Sequence, residues 1–228
     1  GNATHVIASR WRVNLGTDTY GNQMTFTYTE EDRFVDTTSV NYNRASYLDL
    51  ITYTSHTSGT PTAVYYVKFV LESRGTGASN EVPTTTTAWD NWDTNRLDKI
   101  DVRYGTSFAT STVVRTYDLS YAIRSYTDAS PAVTWYTTVL TSVAVSGGGI
   151  NAPSTVFTYA DQINRAANGS SSNEWSYPRL ATVANGWEGL SSYTYGNDNR
   201  PYTSWHNWRV TALDVTDGVN ASPMKTTF

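Results

Sequence analysis

Apolar and polar residues alternate at period two along nearly the whole chain, with glycine-bearing turns between the runs. Successive side chains of a strand point to opposite faces, so this period selects β-structure over an amphipathic helix. Met24-Thr25-Phe26-Thr27-Tyr28 sets three large side chains on one face and two threonines on the other. Residues 47–53 repeat the pattern, and 97–104, 113–124, 139–145 and 155–159 continue it. The run 63–72 divides into a face of Val64, Tyr66, Lys68, Val70 and Glu72 and a more apolar face of Tyr65, Val67, Phe69 and Leu71. The second face is expected to be buried. β-branched and aromatic residues dominate every run, as strands favour. No stretch carries a helical stripe, and residues 161–167 accommodate one short turn at most.

Tyr20-Gly21-Asn22, Ser58-Gly59-Thr60-Pro61, Gly75-Thr76-Gly77, Gly147-Gly148-Gly149, Gly196-Asn197-Asp198 and Asp217-Gly218 supply the positive φ of tight turns. Strands joined this way form an antiparallel meander. The expected fold is all-β, stacked antiparallel hairpins or a meander, shell-like or sandwich-like. Residues 79–95 and 164–177 read as long loops. A boundary within 161–173 would divide the chain into 1–163 and 174–228 through an Asn/Ser/Gly-rich connector. An excursion within a single all-β unit, 1–228, fits the same residues.

Composition narrows the function classes. Charged residues make up 16% of the chain and aromatics 14%, with 17 Tyr and 8 Trp; a disordered chain would be charged and aromatic-poor. A net charge of −4 with scattered basic residues argues against a nucleic-acid partner. No apolar run approaches the ~18 residues of a membrane-spanning helix, and no signal-peptide pattern is present. The absence of cysteine removes disulfides, thiolate metal sites and cysteine nucleophiles. Hydroxyl and amide side chains solvate a β-face without charge, which points to an extracellular or cell-surface setting. The chain opens on Gly1 and closes on Met224-Lys225-Thr226-Thr227-Phe228, which reads as a strand under way. A piece of a longer polypeptide, or a unit completed by a neighbour, is therefore expected.

Candidate sites each have a structural reading beside the chemical one. His5, His56 and His206 are isolated, without metal-ligand spacing, and read as surface or turn residues. Glu30, Glu31 and Asp32 follow a strand and read as a solvated turn. Glu174 and Glu188 lie beside Trp175 and Trp187; an acid next to an aromatic platform is how a glycosidase site looks, although a glycosidase needs two acids several ångströms apart. Asp90, Asp93, Asn95 and Asp98 form an oxygen-rich segment that would suit calcium, without the Asp-x-Asp-x-Asp-Gly pattern and its distal Glu; a hydrogen-bonded loop is the other reading. Gly169-Ser170-Ser171 is not a nucleophile elbow, and Gly147-Gly148-Gly149 lacks the Lys-Ser/Thr ending of a phosphate loop. The sequons at Asn2, Asn168 and Asn220 are permissive only. Trp89, Trp92, Trp205 and Trp208 carry the strongest ligand signal, because exposed rings bind sugars by stacking; the other reading has them packed beneath loops, where large aromatics bury most area.

Phrases recur along the chain. Asp18-Thr19-Tyr20-Gly21-Asn22 runs into a strand ending at Tyr28, and Asn185-Gly186-Trp187-Glu188-Gly189-Leu190 runs into Ser191-Ser192-Tyr193-Thr194-Tyr195. Val156-Phe157-Thr158-Tyr159 ends likewise, and 210–215, closing at Asp217-Gly218, begins another copy. One hairpin cannot bury its own apolar face, but stacked neighbours can. With these phrases the chain resembles the RHS/YD-repeat family of large secreted bacterial proteins, which includes the shell-forming subunits of Tc-type toxin complexes and, more distantly, teneurins. The turn Asp18-Thr19-Tyr20-Gly21-Asn22 is similar to the family's D-x-Y-G-N turn. Tyr65-Tyr66-Val67-Lys68-Phe69, Arg96-Leu97-Asp98-Lys99-Ile100-Asp101-Val102, Val114-Arg115-Thr116-Tyr117-Asp118-Leu119-Ser120-Tyr121, Leu140-Thr141-Ser142-Val143 and Pro153-Ser154-Thr155-Val156-Phe157-Thr158-Tyr159 follow in the family's order. The resemblance implies a hollow β-shell or spiral, with catalysis residing in other parts of the polypeptide. The Asp-Pro dipeptide associated with the family's self-cleaving region is absent here, and the repeats are fewer than the family's.

The resulting expectation is a non-enzymatic shell, scaffold or self-assembling adhesive surface, without catalytic residue, metal or cofactor. Its partners would be other segments of the same polypeptide or identical copies, and extracellular glycans on the alternative reading. That alternative is a carbohydrate-binding module using Trp89, Trp92, Trp205 and Trp208; the third reading is a β-fold glycoside hydrolase using Glu174 and Glu188.

Overall fold

A computed structural model describes residues 11–34, 41–75, 93–127, 134–165, 175–198, 207–219 and 223–228. Among them every regular element is a strand, as the period-two pattern requires. In chain order these are β1 (Leu15–Thr17), β2 (Asn22–Phe34), β3 (Asn41–His56), β4 (Tyr65–Ser73), β5 (Asn95–Tyr104) and β6 (Thr112–Thr127). There follow β7 (Thr134–Gly147), β8 (Ile150–Arg165), β9 (Trp175–Ala184), β10 (Leu190–Asp198), β11 (Asn207–Thr216) and β12 (Met224–Thr227). Each is hydrogen-bonded to its sequence neighbour, so the topology is an antiparallel meander. The chain forms two compact units, Gly1–Val70 with Ile100–Arg115 and Leu71–Lys99 with Thr116–Phe228.

In the first unit, β2 and β3 pair from Asn22↔His56 to Phe34↔Asn41, with three register shifts. Tyr53 stacks on Tyr65 at 5.3 Å, and Tyr65 meets Tyr104 at 5.1 Å. At the start of β4 it is the opposite face that is covered, while the residues from Val67 to Glu72 on both faces are half-buried. Tyr66 is only 5% exposed, meets Phe108 edge-on at 5.8 Å and donates its hydroxyl to the Ala63 carbonyl at 3.0 Å. Tyr65 is 37% exposed, so the expectation for the two faces is reversed at these residues. The cause is the turn after β5, which brings Phe108 over Tyr66. The alternation defines two faces but not which of them a distant turn will cover.

Glu30, Glu31 and Asp32 are not a turn; they lie inside β2. Glu30 accepts hydrogen bonds from Asn43 and, at 2.8 Å, from the Ser46 hydroxyl. Glu31 accepts from Tyr47 at 2.7 Å and lies 3.8 Å from Arg44. Polar residues of β3 thus stand opposite the carboxylates and hold them in a strand despite their low β-propensity.

In the second unit, β6 to β12 pair in succession. Residues 161–165, which accommodate one short helical turn at most, instead continue β8, because Asp161, Gln162 and Ile163 each face a β9 residue: Pro178, Tyr177 and Ser176. Gly196, expected in a turn, is also within a strand. Its role is close approach: a Cβ there would meet Thr211 Cγ2 at 2.5 Å. The turns at Gly21, Gly59, Gly75, Gly147 to Gly149 and Gly218 do carry positive φ. The apolar side chains buried among the described residues are Ala45, Tyr66, Val139, Pro178 and Ala212, and no large side chain there is fully buried. Cohesion therefore rests on ladders and cross-strand contacts more than on a dedicated core.

Candidate functional site

Two hairpin turns from different units share one hydrogen-bond pattern around the residue that opens them, although Gly186, with φ +72°, has no left-handed counterpart at Thr19. Asp18 Oδ1 accepts from the amides of Tyr20 (2.9 Å) and Asn22 (2.8 Å), and the Asp18 amide donates to the Asn22 carbonyl at 3.0 Å. Asn185 Oδ1 accepts from the amides of Trp187 (2.8 Å) and Gly189 (3.0 Å), and the Asn185 amide donates to the Gly189 carbonyl at 3.0 Å. Both are three-residue hairpin loops whose last residue is left-handed, as that loop length requires. In the first turn that residue is Gly21, with φ +87°; in the second it is Glu188, with φ +66°. The aromatic at the middle of each loop points outward, Tyr20 at 83% and Trp187 at 68% exposure. Asn22's side-chain amide and the surrounding backbone amides hold the Asp18 carboxyl below the usual range. His56 clamps the same turn, its Nδ1 accepting from the Ser58 amide at 3.0 Å and its Nε2 meeting the Tyr20 carbonyl at 2.8 Å.

A second repeated device lies at the far end of each hairpin from its turn. Tyr28 donates its hydroxyl to the Val13 carbonyl at 2.8 Å, Tyr121 to Leu97 at 2.6 Å, Tyr159 to Leu140 at 2.8 Å and Tyr195 to Leu180 at 2.9 Å. In every case Ser or Thr precedes the tyrosine. At every one of these dipeptides the pairing to the following strand shifts by one residue, as Tyr28 pairs Leu48, Tyr121 pairs Leu140, Tyr159 pairs Leu180 and Tyr195 pairs Val210. The skipped residue can brace the bulge: Thr141 donates to the Ser120 carbonyl at 3.0 Å and Thr211 to that of Thr194 at 3.2 Å. Arginine accompanies the tyrosine, with Arg12 5.5 Å from the Tyr28 ring, Arg96 4.4 Å from Tyr121 and Arg124 5.8 Å from Tyr159. Burial raises the Tyr121, Tyr159 and Tyr195 phenols, with arginine charge opposing it. They remain neutral donors at physiological pH. Strands that end in Tyr are visible in the sequence, and so are the upstream dipeptides Arg12-Val13, Arg96-Leu97 and Arg179-Leu180; that Ser/Thr-Tyr meets them emerges only from the fold.

The structure distributes the other candidates widely. Trp208 is half-buried, and its indole donates to the Ile163 carbonyl at 2.8 Å, tying β11 to β8. Trp89, Trp92, Trp205, Glu174, Asp90, His5, His206 and the sequons at Asn2, Asn168 and Asn220 lie outside the described residues, as does most of the proposed connector. Glu188 occupies the left-handed turn position, and Gly218 is so close that a Cβ on it would meet Glu188 Cβ at 2.4 Å. Asp98 lies 3.6 Å from Lys99, the Asp93 carbonyl accepts from Arg74 at 3.4 Å, and Asn95 donates to the Thr94 hydroxyl at 3.5 Å. Among the described residues no group of three or more His, Cys, Asp or Glu is placed to hold a metal ion.

One further polar cluster joins β6 to β8 across β7. Arg124 Nη1 and the Tyr126 hydroxyl both donate to Asp161 Oδ1 at 2.7 Å. Burial, followed by the bond to the Asp161 carboxylate, pushes the Tyr126 phenol up to about 12. A phenol held protonated there is neither base nor nucleophile at neutral pH. It serves as a cross-strand strut.

No family model matches the chain, and no curated protein matches it. Among solved structures, it is similar to a chain of the Photorhabdus luminescens Tc holotoxin pore, with a TM-score of 0.35 and 10% identity. That likeness covers 89% of this chain and 13% of the other.

Proposed function

We propose that this chain is a non-enzymatic structural segment of a secreted or cell-surface bacterial protein of the RHS/YD-repeat type, acting as shell, scaffold or self-assembling adhesive surface. The observation that carries this reading is the fourfold tyrosine stitch. The hydroxyls of Tyr28, Tyr121, Tyr159 and Tyr195, those of Thr141 and Thr211, and the Trp208 indole tie strands together, while the Asp18 and Asn185 side chains close turns. Repeated units that act through backbone pairing make surfaces, and open sheet edges extend them. Its partners on this reading are neighbouring segments or identical copies. Mass spectrometry and negative-stain microscopy of the native material test it. A large polypeptide, shell or filament is expected, and a 25.3 kDa species that stays monomeric at high concentration would overturn it.

A second reading keeps one specific observation. Trp187 and Tyr20 present exposed rings at equivalent turn tips, which suits stacking on a sugar. Glycan-array binding lost in Trp187→Ala supports carbohydrate recognition, and an array without signal removes it.

A further inference from the structure

The chain has no cysteine and 17 tyrosines. Disulfides are closed to it, but phenol side chains offer another covalent join between strands, since oxidised phenols couple through their rings. Coupling needs two rings in contact, hydroxyls free to release their protons, and access for an oxidant. The stitching tyrosines do not qualify, because Tyr28, Tyr121, Tyr159 and Tyr195 each donate to a carbonyl. Tyr126 is likewise committed to Asp161.

A row of three tyrosines in the first unit meets all three conditions. Tyr53 of β3 and Tyr65 of β4 stand directly opposite each other, the last pair of that ladder before the connecting residues 54–64. Opposed side chains of neighbouring antiparallel strands are held within contact distance by the backbone itself. The two rings stack with centroids 5.3 Å apart and planes 15° from parallel. Tyr104 of β5 lies 5.1 Å from Tyr65, tilted by 49°. The backbone around the row is pinned: the Val64 amide donates to the Thr54 hydroxyl at 3.1 Å, and the Gly105 amide donates to the Val64 carbonyl at 3.0 Å. Among the described residues, none of the three hydroxyls is hydrogen-bonded to a protein group. Tyr65 is 37% exposed and Tyr104 50% exposed, so a diffusible oxidant reaches the row.

We propose that Tyr53 and Tyr65 are the site of an oxidative cross-link, a carbon–carbon bond between ring positions adjacent to the two hydroxyls, formed by a haem peroxidase with hydrogen peroxide as oxidant. Each phenol gives up one electron and one proton. The two phenoxyl radicals join, and each ring carbon of the new bond then loses its hydrogen as a proton while its phenol oxygen takes one up. Hydrogen peroxide accepts the two electrons and two protons and leaves as two waters. The bond closes residues 54–64 covalently at their base and fastens β3 to β4 where their ladder ends. The inference deepens the scaffold reading and rests on it for the extracellular setting in which such an oxidant acts.

The test treats the folded full chain, at high dilution, with a haem peroxidase and limiting hydrogen peroxide, followed by trypsin and mass spectrometry. Tyr53 and Tyr65 share the tryptic peptide 45–68, whereas Tyr104 falls on another. The expected product is that peptide lighter by two hydrogen atoms, without backbone fragments between 53 and 65, together with blue dityrosine fluorescence. Tyr53→Phe and Tyr65→Phe, which keep the rings and lack the phenol, should each lose this product, and Tyr104→Phe should keep it. The same treatment in urea should scatter links over the other tyrosines. This comparison of folded with unfolded wild type decides the matter even where a variant fails to fold. Overturning results are a peptide 45–68 of unchanged mass, a Tyr53–Tyr65 link no more frequent than in urea, or Tyr65 joined to Tyr104 in its place. Each of these can occur whether native material is a shell, a filament or a monomer, so this inference and the scaffold reading fall separately.

Discussion

Gly21 and Glu188 hold the same left-handed turn position, yet substitution by alanine should affect them very unequally. At Gly21, alanine would enter a conformation costing a residue with Cβ about 1–2 kcal/mol. Its Cβ would also lie 2.7 Å from His56 Nε2 and from the Thr57 hydroxyl. Those side-chain atoms must move, and the contact between His56 and the Tyr20 carbonyl at 2.8 Å is then lost, a further loss of about 1 kcal/mol. Gly21→Ala should therefore destabilise by about 2–3 kcal/mol, lowering the midpoint by roughly 5–10 °C for a chain of this size. Glu188→Ala keeps a Cβ in a conformation that already accommodates one, so its effect should stay within about 0.5 kcal/mol. Urea and thermal unfolding followed by tryptophan fluorescence measure both, and hydrogen exchange over 17–23 localises the first. Equal effects at the two positions, or a Gly21→Ala change below about 0.5 kcal/mol, would refute the equivalence of the turns.

Tyr121→Phe, Tyr159→Phe and Tyr195→Phe should each lower stability by about 0.5–1.5 kcal/mol, the range for one hydrogen bond, with faster amide exchange confined to the hairpin altered. Gly196→Ala should cost about 1–3 kcal/mol by overpacking against Thr211 Cγ2 at 2.5 Å; Thr211→Ser, which removes that methyl and keeps the hydroxyl, should restore much of the loss. The Tyr126 phenol, raised to about 12, stabilises the fold fully below its unfolded value near 10. Stability should then fall as pH rises from there through about 12. A late step in ultraviolet titration, absent in Tyr126→Phe, identifies the group.

The period-two pattern in 24–28, 97–104, 113–124 and 139–145 was enough to read strand class and sheet direction, because alternation reports directly on a pleated, two-faced surface. Strand length was less legible. β8 runs through Asp161, Gln162 and Ile163 because β9 supplies partners, and no local propensity encodes a partner. The same limit explains Glu30 and Glu31, whose place in β2 depends on Asn43, Ser46 and Tyr47 arriving from β3. Gly196 looked like a turn residue, since glycine serves both positive φ and close approach and the sequence does not distinguish them. The turn equivalence was half legible: the phrases around Asp18 and Asn185 could be seen to match, but a glutamate in the glycine position could be recognised only from its φ. Among the tryptophans, Trp208 shows why residue type alone misleads, because its indole N–H is already committed to Ile163.

The placement of the tyrosine hydroxyls also determines how the sheet should bear force. Each sits at the open mouth of its hairpin, beyond the last ladder bonds and farthest from the turn. Tension that peels two strands apart enters at that mouth and meets the hydroxyl before any backbone pair. A hairpin fastened in this way should yield in discrete ruptures, one per stitch, and re-close from its turn when the load is removed. Strain at one mouth would then be arrested locally instead of spreading along the meander.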